Sequence, residues 1–198
     1  MVVDRTVLSA NLTRFYDFRG KSVLYVGAGG GQLLGPASGV RSVVAIDSNA
    51  KSLGAFRSEA KTKWAGIPVR FIPRKFESVN AHGDVVYFEF CLHEMDSPRR
   101  ALEHARSLAP ETVVMDHLPK SEWIYYGVEE ELVQRSADII KSFGAKRSRR
   151  HTIHQHFEDH DALAARLAEV GEESLKRALE FKGKKNIKIR MDNGLFLL

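Results

Sequence analysis

The sequence predicts an α/β protein built on a doubly wound, mostly parallel sheet of seven strands. Short apolar runs alternate with segments of helical periodicity over most of the 198 residues, a pattern typical of a parallel sheet covered on both faces. A glycine-rich segment directly follows the first apolar run. Two consecutive strand patterns close the chain, and they predict an antiparallel C-terminal edge strand.

The first half of the chain begins this alternation. Leu8, Leu12 and Phe15 recur at helical spacing, so an N-terminal helix is expected over about residues 4–17. The segments KSVLYVG, RSVVAID and IPVRFIP predict the first three strands. Asn49 is expected to cap the helix that follows the second strand.

The second half continues the pattern. GDVVYFEFCL predicts a fourth strand and TVVMDH a fifth. Between them, Ser97 and Pro98 predict the start of a helix that ends before Pro110. Helical patterns follow over residues 121–143 and about 158–170. The tail SLKRALEFKGKKNIKIRMDNGLFLL is expected to form two strands around a Gly-Lys-rich turn.

Composition limits the possible settings of the protein. Cys91 is the one cysteine of the chain, which excludes an internal disulfide framework and indicates a reducing, cytoplasmic location. The apolar runs are too short to cross a bilayer, and the N-terminus lacks the pattern of a signal peptide. We expect a single domain over residues 1–198 that has no membrane partner.

The net charge of +5 is partly concentrated in two clusters, KRSRR at 146–150 and KGKK at 182–185. Such clusters are typical of solvated loops, and they also fit a contact surface for phosphate or nucleic acid. Aromatic residues do not interleave with them, so the side chains that would stack on the bases of a single strand are missing. We therefore do not expect a nucleic-acid partner. The oligomeric state is left open.

The glycine-rich segment carries the most informative spacing. Gly27, Gly29 and Gly31 fit a G-x-G-x-G pattern. The dinucleotide fingerprint requires a small residue where Gln32 stands, which argues against an NAD-dependent oxidoreductase, and no Gly-Lys-Ser/Thr follows as a phosphate-loop NTPase requires. We interpret the segment as a backbone surface without side chains, against which an amino-acid-like moiety and a ribose can bind.

Asp47 lies twenty residues after Gly27, at the end of the second predicted strand. A carboxylate at this place accepts hydrogen bonds from two ribose hydroxyls. Capping of the next helix is the alternative role, and the two roles do not exclude each other.

On these residues the chain resembles the class I S-adenosylmethionine-dependent methyltransferases that act on small molecules. VLYVGAGGG and VVAIDSN are similar to the first two motifs of that family, and GDVVYFEFCLHEM and TVVMDH to its fourth- and fifth-strand regions. The resemblance covers roughly residues 20–198. It implies a Rossmann-like methyltransferase fold, S-adenosylmethionine as cofactor, and methyl transfer to a small-molecule acceptor.

The resemblance also implies a set of cofactor-binding residues. The glycine segment would line the methionine and ribose portions, Phe76 or Glu77 would meet the adenine, and residues 88 and 89 would face the methionine end. The residues assigned in this way are Gly27, Ala28, Gly29, Gly31, Asp47, Ser48, Phe76, Glu77, Phe88 and Glu89.

Tyr25 departs from the family pattern, which has an acidic residue two positions before the first glycine. That acid helps to bind the ammonium group of the cofactor, and a tyrosine carries no negative charge at neutral pH. Our hypothesis is that Glu89 supplies the charge instead. Pairing of Glu89 with a nearby Arg or Lys is the alternative.

His93 and His117 are the candidate catalytic residues. They follow the fourth and fifth strands, whose ends should face the same cleft, and either could handle the proton of an oxygen or nitrogen acceptor. The alternative is that both hold backbone groups of their loops. A lid-like segment is expected over about residues 118–157, in which Trp123, Tyr125 and Tyr126 either line an acceptor pocket or dock a helix.

The segment HTIHQHFEDH contains four histidines, His151, His154, His156 and His160. Their spacing permits zinc binding, but no cysteine or suitably spaced carboxylate completes such a site, so no metal is expected. Contact with the substrate and simple surface exposure remain open.

Other acceptor classes and activities fit less well. The segment after the fourth strand reads FCLHEM, without the Asn/Asp-Pro-Pro-Tyr/Phe motif of enzymes that methylate amino groups of bases. Because of Tyr25 and the irregular segment after the third strand, a catalytically inactive S-adenosylmethionine-binding protein with a regulatory or assembly role is the alternative to an active enzyme.

Overall fold

The computed structural model describes residues 5–30 and 33–198, and a seven-stranded sheet forms its centre. The strands are β1 (Ser22–Val26), β2 (Ser42–Ile46), β3 (Val69–Ile72), β4 (Val85–Glu89), β5 (Glu111–His117), β6 (Arg147–Asp159) and β7 (Lys185–Leu197). Their order across the sheet is β3-β2-β1-β4-β5-β7-β6. Strands β1 to β5 are parallel, and β7 is antiparallel to both of its neighbours. The predicted fold class is confirmed.

Seven α-helices of the described chain connect the strands. They are α1 (Arg5–Phe15), α2 (Ala50–Lys63), α3 (Pro98–Leu108), α4 (Glu122–Gly127), α5 (Glu130–Phe143), α6 (His160–Leu167) and α7 (Glu172–Ala178). Both predicted helix caps are confirmed: Asn49 accepts hydrogen bonds from the first-turn amides of α2, and Ser97 accepts one at the start of α3. None of the described helices has the length and apolar character needed to span a membrane.

The sheet is buried on both faces, because alternate side chains of each parallel strand enter two different apolar clusters. Tyr25, Tyr87 and Met115 belong to the cluster on one face, which also contains α1 and α2 residues. Leu24 and Val86 belong to the cluster on the other face, against α3 and α5. Burial of the central strands on both sides fixes their register and the level at which they end.

The prediction of a strand pair within the tail is wrong in its first member. Residues 172–181 are helical, and the partner of β7 is β6, which precedes it by two helices. In β6 only every second residue is buried, as at Ile153, Gln155 and Phe157. This alternation marks a strand with one exposed face. Within the segment of about 118–157 that the sequence suggests as a lid, the residues from Arg147 onward belong to the sheet.

The helix expected over 121–143 is divided in two. Val128 adopts a left-handed conformation with φ of 57° between α4 and α5. A β-branched residue rarely adopts such a backbone conformation. The break turns the chain so that Glu129, the N-cap residue of α5, approaches the end of β4.

Candidate functional site

A cleft lies at the carboxyl ends of the parallel strands, the edge at which doubly wound sheets bind their ligands. Five residues predicted from the sequence come together in its lining, namely Gly27, Asp47, Ser48, Phe76 and Glu77.

Gly27 directly follows β1 and packs tightly against the end of β4. Its φ is +76°, and a Cβ atom there would lie 2.7 Å from the carbonyl oxygen of Glu89 and 2.8 Å from Sγ of Cys91. Both the conformation and the space require glycine. The absence of a side chain thus serves the packing of the loop on β4, in addition to leaving the cleft open.

Asp47 faces the glycine segment, as the sequence interpretation requires. Its Oδ2 accepts a hydrogen bond of 2.8 Å from the amide of Gly29, and its Oδ1 accepts one of 2.8 Å from the amide of Asn49. A Cβ atom on Gly29 would lie 2.8 Å from Oδ2. Because a carboxylate has about four acceptor positions, Asp47 keeps capacity for ligand hydroxyls.

Four other predicted residues do not line the cleft, namely Ala28, Gly29, Phe88 and Glu89, and Glu89 is buried behind it. Ala28 and Phe88 are completely buried. Phe88 points to the sheet face opposite Tyr87, because side chains alternate along a strand, and its ring meets that of Phe76 edge to face at 5.1 Å. Gly31, together with Gln32, lies outside the described residues.

The end of the cleft beyond β3 carries opposite charges on its two sides. Phe76 is buried within a short helical turn, and Glu77 beside it is half-buried. Lys75, which precedes them, forms an ion pair of 2.8 Å with Asp96 from the loop after β4. Both partners are largely exposed, so this pair contributes little to stability.

Glu89 forms a buried hydrogen-bond network with two tyrosines. Its Oε2 accepts a bond of 2.5 Å from the Tyr25 hydroxyl and one of 3.0 Å from Tyr87, and the Leu33 amide also donates to the carboxylate. Burial, followed by the charge of Glu89, raises the pKa of both tyrosines well above the ordinary value. Both hydroxyls therefore stay protonated and act as donors.

His93 is held by Asp116 in a buried pair. The His93 Nδ1 atom lies 2.5 Å from Asp116 Oδ1, and the His93 amide donates to Asp116 Oδ2. Burial favours the neutral imidazole, but the charge and hydrogen bond of Asp116 outweigh it. They raise the pKa of His93 to about 9, with Glu129 and Glu94 adding to the effect.

Two more carboxylates face the other side of the His93 ring. Glu129 and Glu94 lie 3.8 and 4.0 Å from Nε2, and burial raises the pKa of both. One ligand atom from each of the three residues falls within 4.8 Å of the others, a spacing that a metal ion could bridge. Glu94 is largely exposed and His93 already supplies a positive charge, so we interpret the group as an ion-pair cluster.

His117 lies beside His93, with the ring centroids 5.4 Å apart. Burial lowers the pKa of His117 to about 4 against the opposing charge of Asp116, and His93 lowers it further. Its Nδ1 atom is enclosed and has no hydrogen-bond partner in the described part of the chain. The two candidate catalytic residues therefore lie together but are in opposite protonation states at neutral pH.

Of the three aromatic residues that follow β5, two are buried and one is exposed. Trp123 is buried and stacks on Phe157 at 6.2 Å, so it docks α4 on the sheet. Tyr125 is exposed, and Tyr126 donates a hydrogen bond to Glu180. Both tyrosines border an open groove. Trp123 and Tyr126 are buried in the core cluster, as the docking alternative expects, and Tyr125 is exposed.

The four histidines of the segment 151–160 do not converge on one point. His154 and His156 are exposed on one face of β6, with ring centroids 6.5 Å apart. His151 points to the opposite face by the alternation of the strand, and His160 begins α6. In residues 5–30 and 33–198 these histidines do not form a group with metal-ligand spacing.

Three carboxylates around His93 have no role assigned from the sequence, namely Glu94, Asp116 and Glu129. Asp116 is a polar residue at the end of the predicted fifth strand. Because β4 and β5 are adjacent, this position is a signal that predicts pairing with His93 after β4. No sequence pattern predicts the role of Glu129, because its approach to His93 depends on the helix break at Val128.

Comparisons with known proteins identify the family and the fold of the chain. A family model described as a methyltransferase domain matches residues 4–176. No curated protein matches the sequence significantly. Among solved structures, YcgJ from Bacillus subtilis is similar, with a TM-score of 0.70 and 12% identity over 97% of each chain.

Two further structures share the architecture. One is a SAM-dependent methyltransferase from Aquifex aeolicus, with a TM-score of 0.57 and 17% identity over 98% of this chain and 88% of that chain. The other is the magnesium protoporphyrin IX methyltransferase ChlM from Synechocystis, solved with bound SAH, with a TM-score of 0.57 and 14% identity over 97% of this chain and 80% of that chain. Identities this low establish the fold alone.

Proposed function

The chain belongs to the methyltransferase-domain family, and on that premise we propose that it transfers a methyl group from S-adenosylmethionine to a small-molecule acceptor. The observation that carries the proposal is the cleft in which Gly27 and Asp47 meet at the ends of β1 and β2. A glycine turn next to a half-buried carboxylate with spare acceptor capacity suits a nucleoside whose ribose is not phosphorylated.

The remaining cofactor contacts follow from the same placement. Phe76 and Glu77 would meet the adenine at the β3 side of the cleft. The buried charge of Glu89, hydrogen-bonded to Tyr25, would attract the ammonium group and so replace the missing acid at position 25. Glu89→Gln should weaken cofactor binding roughly tenfold or more, and an unchanged affinity would refute this role.

His93 and His117 would handle the proton of the acceptor. S-adenosylmethionine supplies an electrophilic methyl group when bound. The chain must orient the acceptor atom and remove its proton. Asp116 holds His93 in a fixed orientation. The deprotonated form of the ring, whose share grows as the pH rises towards the His93 pKa of about 9, would accept the proton at Nε2. The nearby groove, with Tyr125 and Tyr126 in its wall, would admit an organic acceptor.

The proposal is tested by incubating the purified protein with S-adenosylmethionine and pools of small molecules, followed by mass spectrometry. We expect methylated products together with S-adenosylhomocysteine, and loss of both in Asp47→Ala. Binding of S-adenosylmethionine without any product would favour the catalytically inactive alternative, and absence of both binding and product would contradict the proposal.

A further inference from the structure

Strands β6 and β7 extend far beyond the end of β5. The last residue of β5, His117, pairs with Asn193. From there, residues 152–159 of β6 remain paired with residues 185–192 of β7. We call these two segments the projecting ribbon. At about 3.4 Å per residue it reaches roughly 25 Å past the carboxyl edge of β5, on the side of the sheet where the cleft opens.

The two faces of the projecting ribbon differ completely. One face is apolar and covered, with Ile153 and Phe157 buried and Trp123 of α4 stacked on Phe157. On the other face, His154, His156 and the alternating residues of β7 are exposed. The exposed face contains no Phe, Tyr, Trp or aliphatic side chain.

The exposed face gathers basic groups that are separate in the sequence. The basic side chains are Arg150 at its base and His154, His156, Lys188 and Arg190 along it, with Lys182 and Lys184 in the turn at its tip. The acidic side chains Glu158 and Asp192 lie on the same face. The register places His154 opposite Arg190 and His156 opposite Lys188. From the cluster KRSRR only Arg150 belongs to this face, because Arg147 contacts Phe15 and Lys146 donates to the Leu198 carbonyl. The proposed methyl transfer does not use this surface.

Internal ion pairs neutralise only part of this charge. Arg190 pairs with Asp192 at 3.3 Å. Across residues 5–30 and 33–198, no ion pair involves Arg150, Lys188 or the two lysines of the tip. These side chains are therefore available to a bound polyanion.

The missing aromatic residues argue against binding of unpaired bases only. Contrary to the expectation of no nucleic-acid partner, we propose that the exposed face of the projecting ribbon binds the phosphate backbone of a double-stranded nucleic acid. Lysine and arginine contacts to phosphates supply sequence-independent affinity, and a two-stranded ribbon fits the major groove of a duplex. Without Phe, Tyr or Trp the face offers no stacking platform for unpaired bases. Without apolar side chains it has nothing to insert into a membrane surface. This surface goes beyond the proposed methyl transfer and does not depend on it.

Fluorescence anisotropy with the full chain and a labelled DNA duplex of about 20 base pairs tests the proposal. We expect binding at roughly 50 mM KCl that weakens at least tenfold by roughly 200 mM. Lys188→Glu should weaken binding about tenfold and reduce the salt slope by about one. The matched control is Lys61→Glu, which makes the same charge change on α2 near the other edge of the sheet and should leave affinity within about twofold.

Three results would overturn the proposal. The first is no binding of the duplex at the low salt concentration. The second is an equal loss in Lys188→Glu and Lys61→Glu, which would indicate a response to net charge alone. The third is tighter binding of the single strand of the same length, which would contradict the preference for a duplex. Circular dichroism of both variants establishes that they are folded.

Discussion

The Tyr25 hydroxyl donates a 2.5 Å hydrogen bond to Glu89 across the β1–β4 interface. Tyr25 pairs with Tyr87 in the parallel register, and Glu89 follows two residues later on the same face. The family pattern has an acid where Tyr25 stands, but here the carboxylate is carried by the adjacent strand. A carboxylate is thus present on β4 near the end of β1, and the tyrosine hydroxyl holds it in place.

Loss of the Tyr25 hydroxyl should destabilise the fold. In Tyr25→Phe we expect the free energy of unfolding to fall by about 1–3 kcal/mol, because a buried carboxylate loses a charge-assisted donor. Urea denaturation measures the change. Tyr16→Phe is the matched control, because Tyr16 donates a bond of the same length to Glu111, which is partly exposed. Water can replace that donor, so equal losses in the two variants would contradict the argument.

Gly27→Ala should be more destabilising than the conformation of the glycine alone explains. The added Cβ would lie 2.8 Å from Cys91 Sγ and 2.7 Å from the Glu89 carbonyl. We expect a loss of about 2–4 kcal/mol. Gly20→Ala is the control, because Gly20 has a similar φ of +69° but open space around it, and it should lose only about 1 kcal/mol. Similar melting temperatures for the two variants would refute the packing argument.

The His93–Asp116 pair should make stability depend on pH above neutrality. The folded pKa of about 9 exceeds the ordinary value of 6.5, so the stabilisation is complete below pH 6.5 and is lost as the pH rises through 9. We expect a fall of up to about 3 kcal/mol over this window. Asp116, Glu94, Glu129 and His117 face the ring, and Arg135 donates to the backbone carbonyl of His93.

Denaturation at several pH values measures this slope, with Asp116→Asn for comparison. The variant should lose most of the slope between pH 6.5 and 9, the window set by His93. The lowered pKa of His117 affects stability only below its ordinary value of 6.5. A slope that survives in Asp116→Asn would assign it to another group.

If His93 accepts the proton, methyl transfer should accelerate as the pH rises towards the His93 pKa of about 9. Asp116→Asn should move the midpoint of the pH–rate profile to lower pH and reduce the plateau, because the ring becomes less basic and less well oriented. The profile of kcat against pH provides the measurement. A midpoint that stays in place in Asp116→Asn would exclude His93 as the proton acceptor.

Local signals in the sequence predicted the sheet core and the helix starts. Apolar runs such as KSVLYVG can only be buried strands, and Asn49 caps its helix through bonds to amides two and three residues ahead. Asp47 and Gly27 could be brought together because the carboxyl ends of parallel strands share one edge.

Long-range contacts account for the errors. Strand β6 has a weak apolar pattern because only one of its faces is buried, and its partner β7 follows after two helices. The packing of Gly27 on Cys91 and the approach of Glu129 to His93 depend on how separate loops meet. Contacts between loops that are distant in the sequence cannot be predicted from a local sequence pattern.

Titration calorimetry with S-adenosylmethionine tests the central claim most directly. We predict one binding site in the wild-type protein and an affinity at least about tenfold weaker in Asp47→Asn, because ribose hydroxyls lose a charged acceptor. Asp96→Asn changes an exposed acid in the lining of the same cleft and should bind normally. No heat of binding in the wild type, or equal affinities for wild type and Asp47→Asn, would contradict the account.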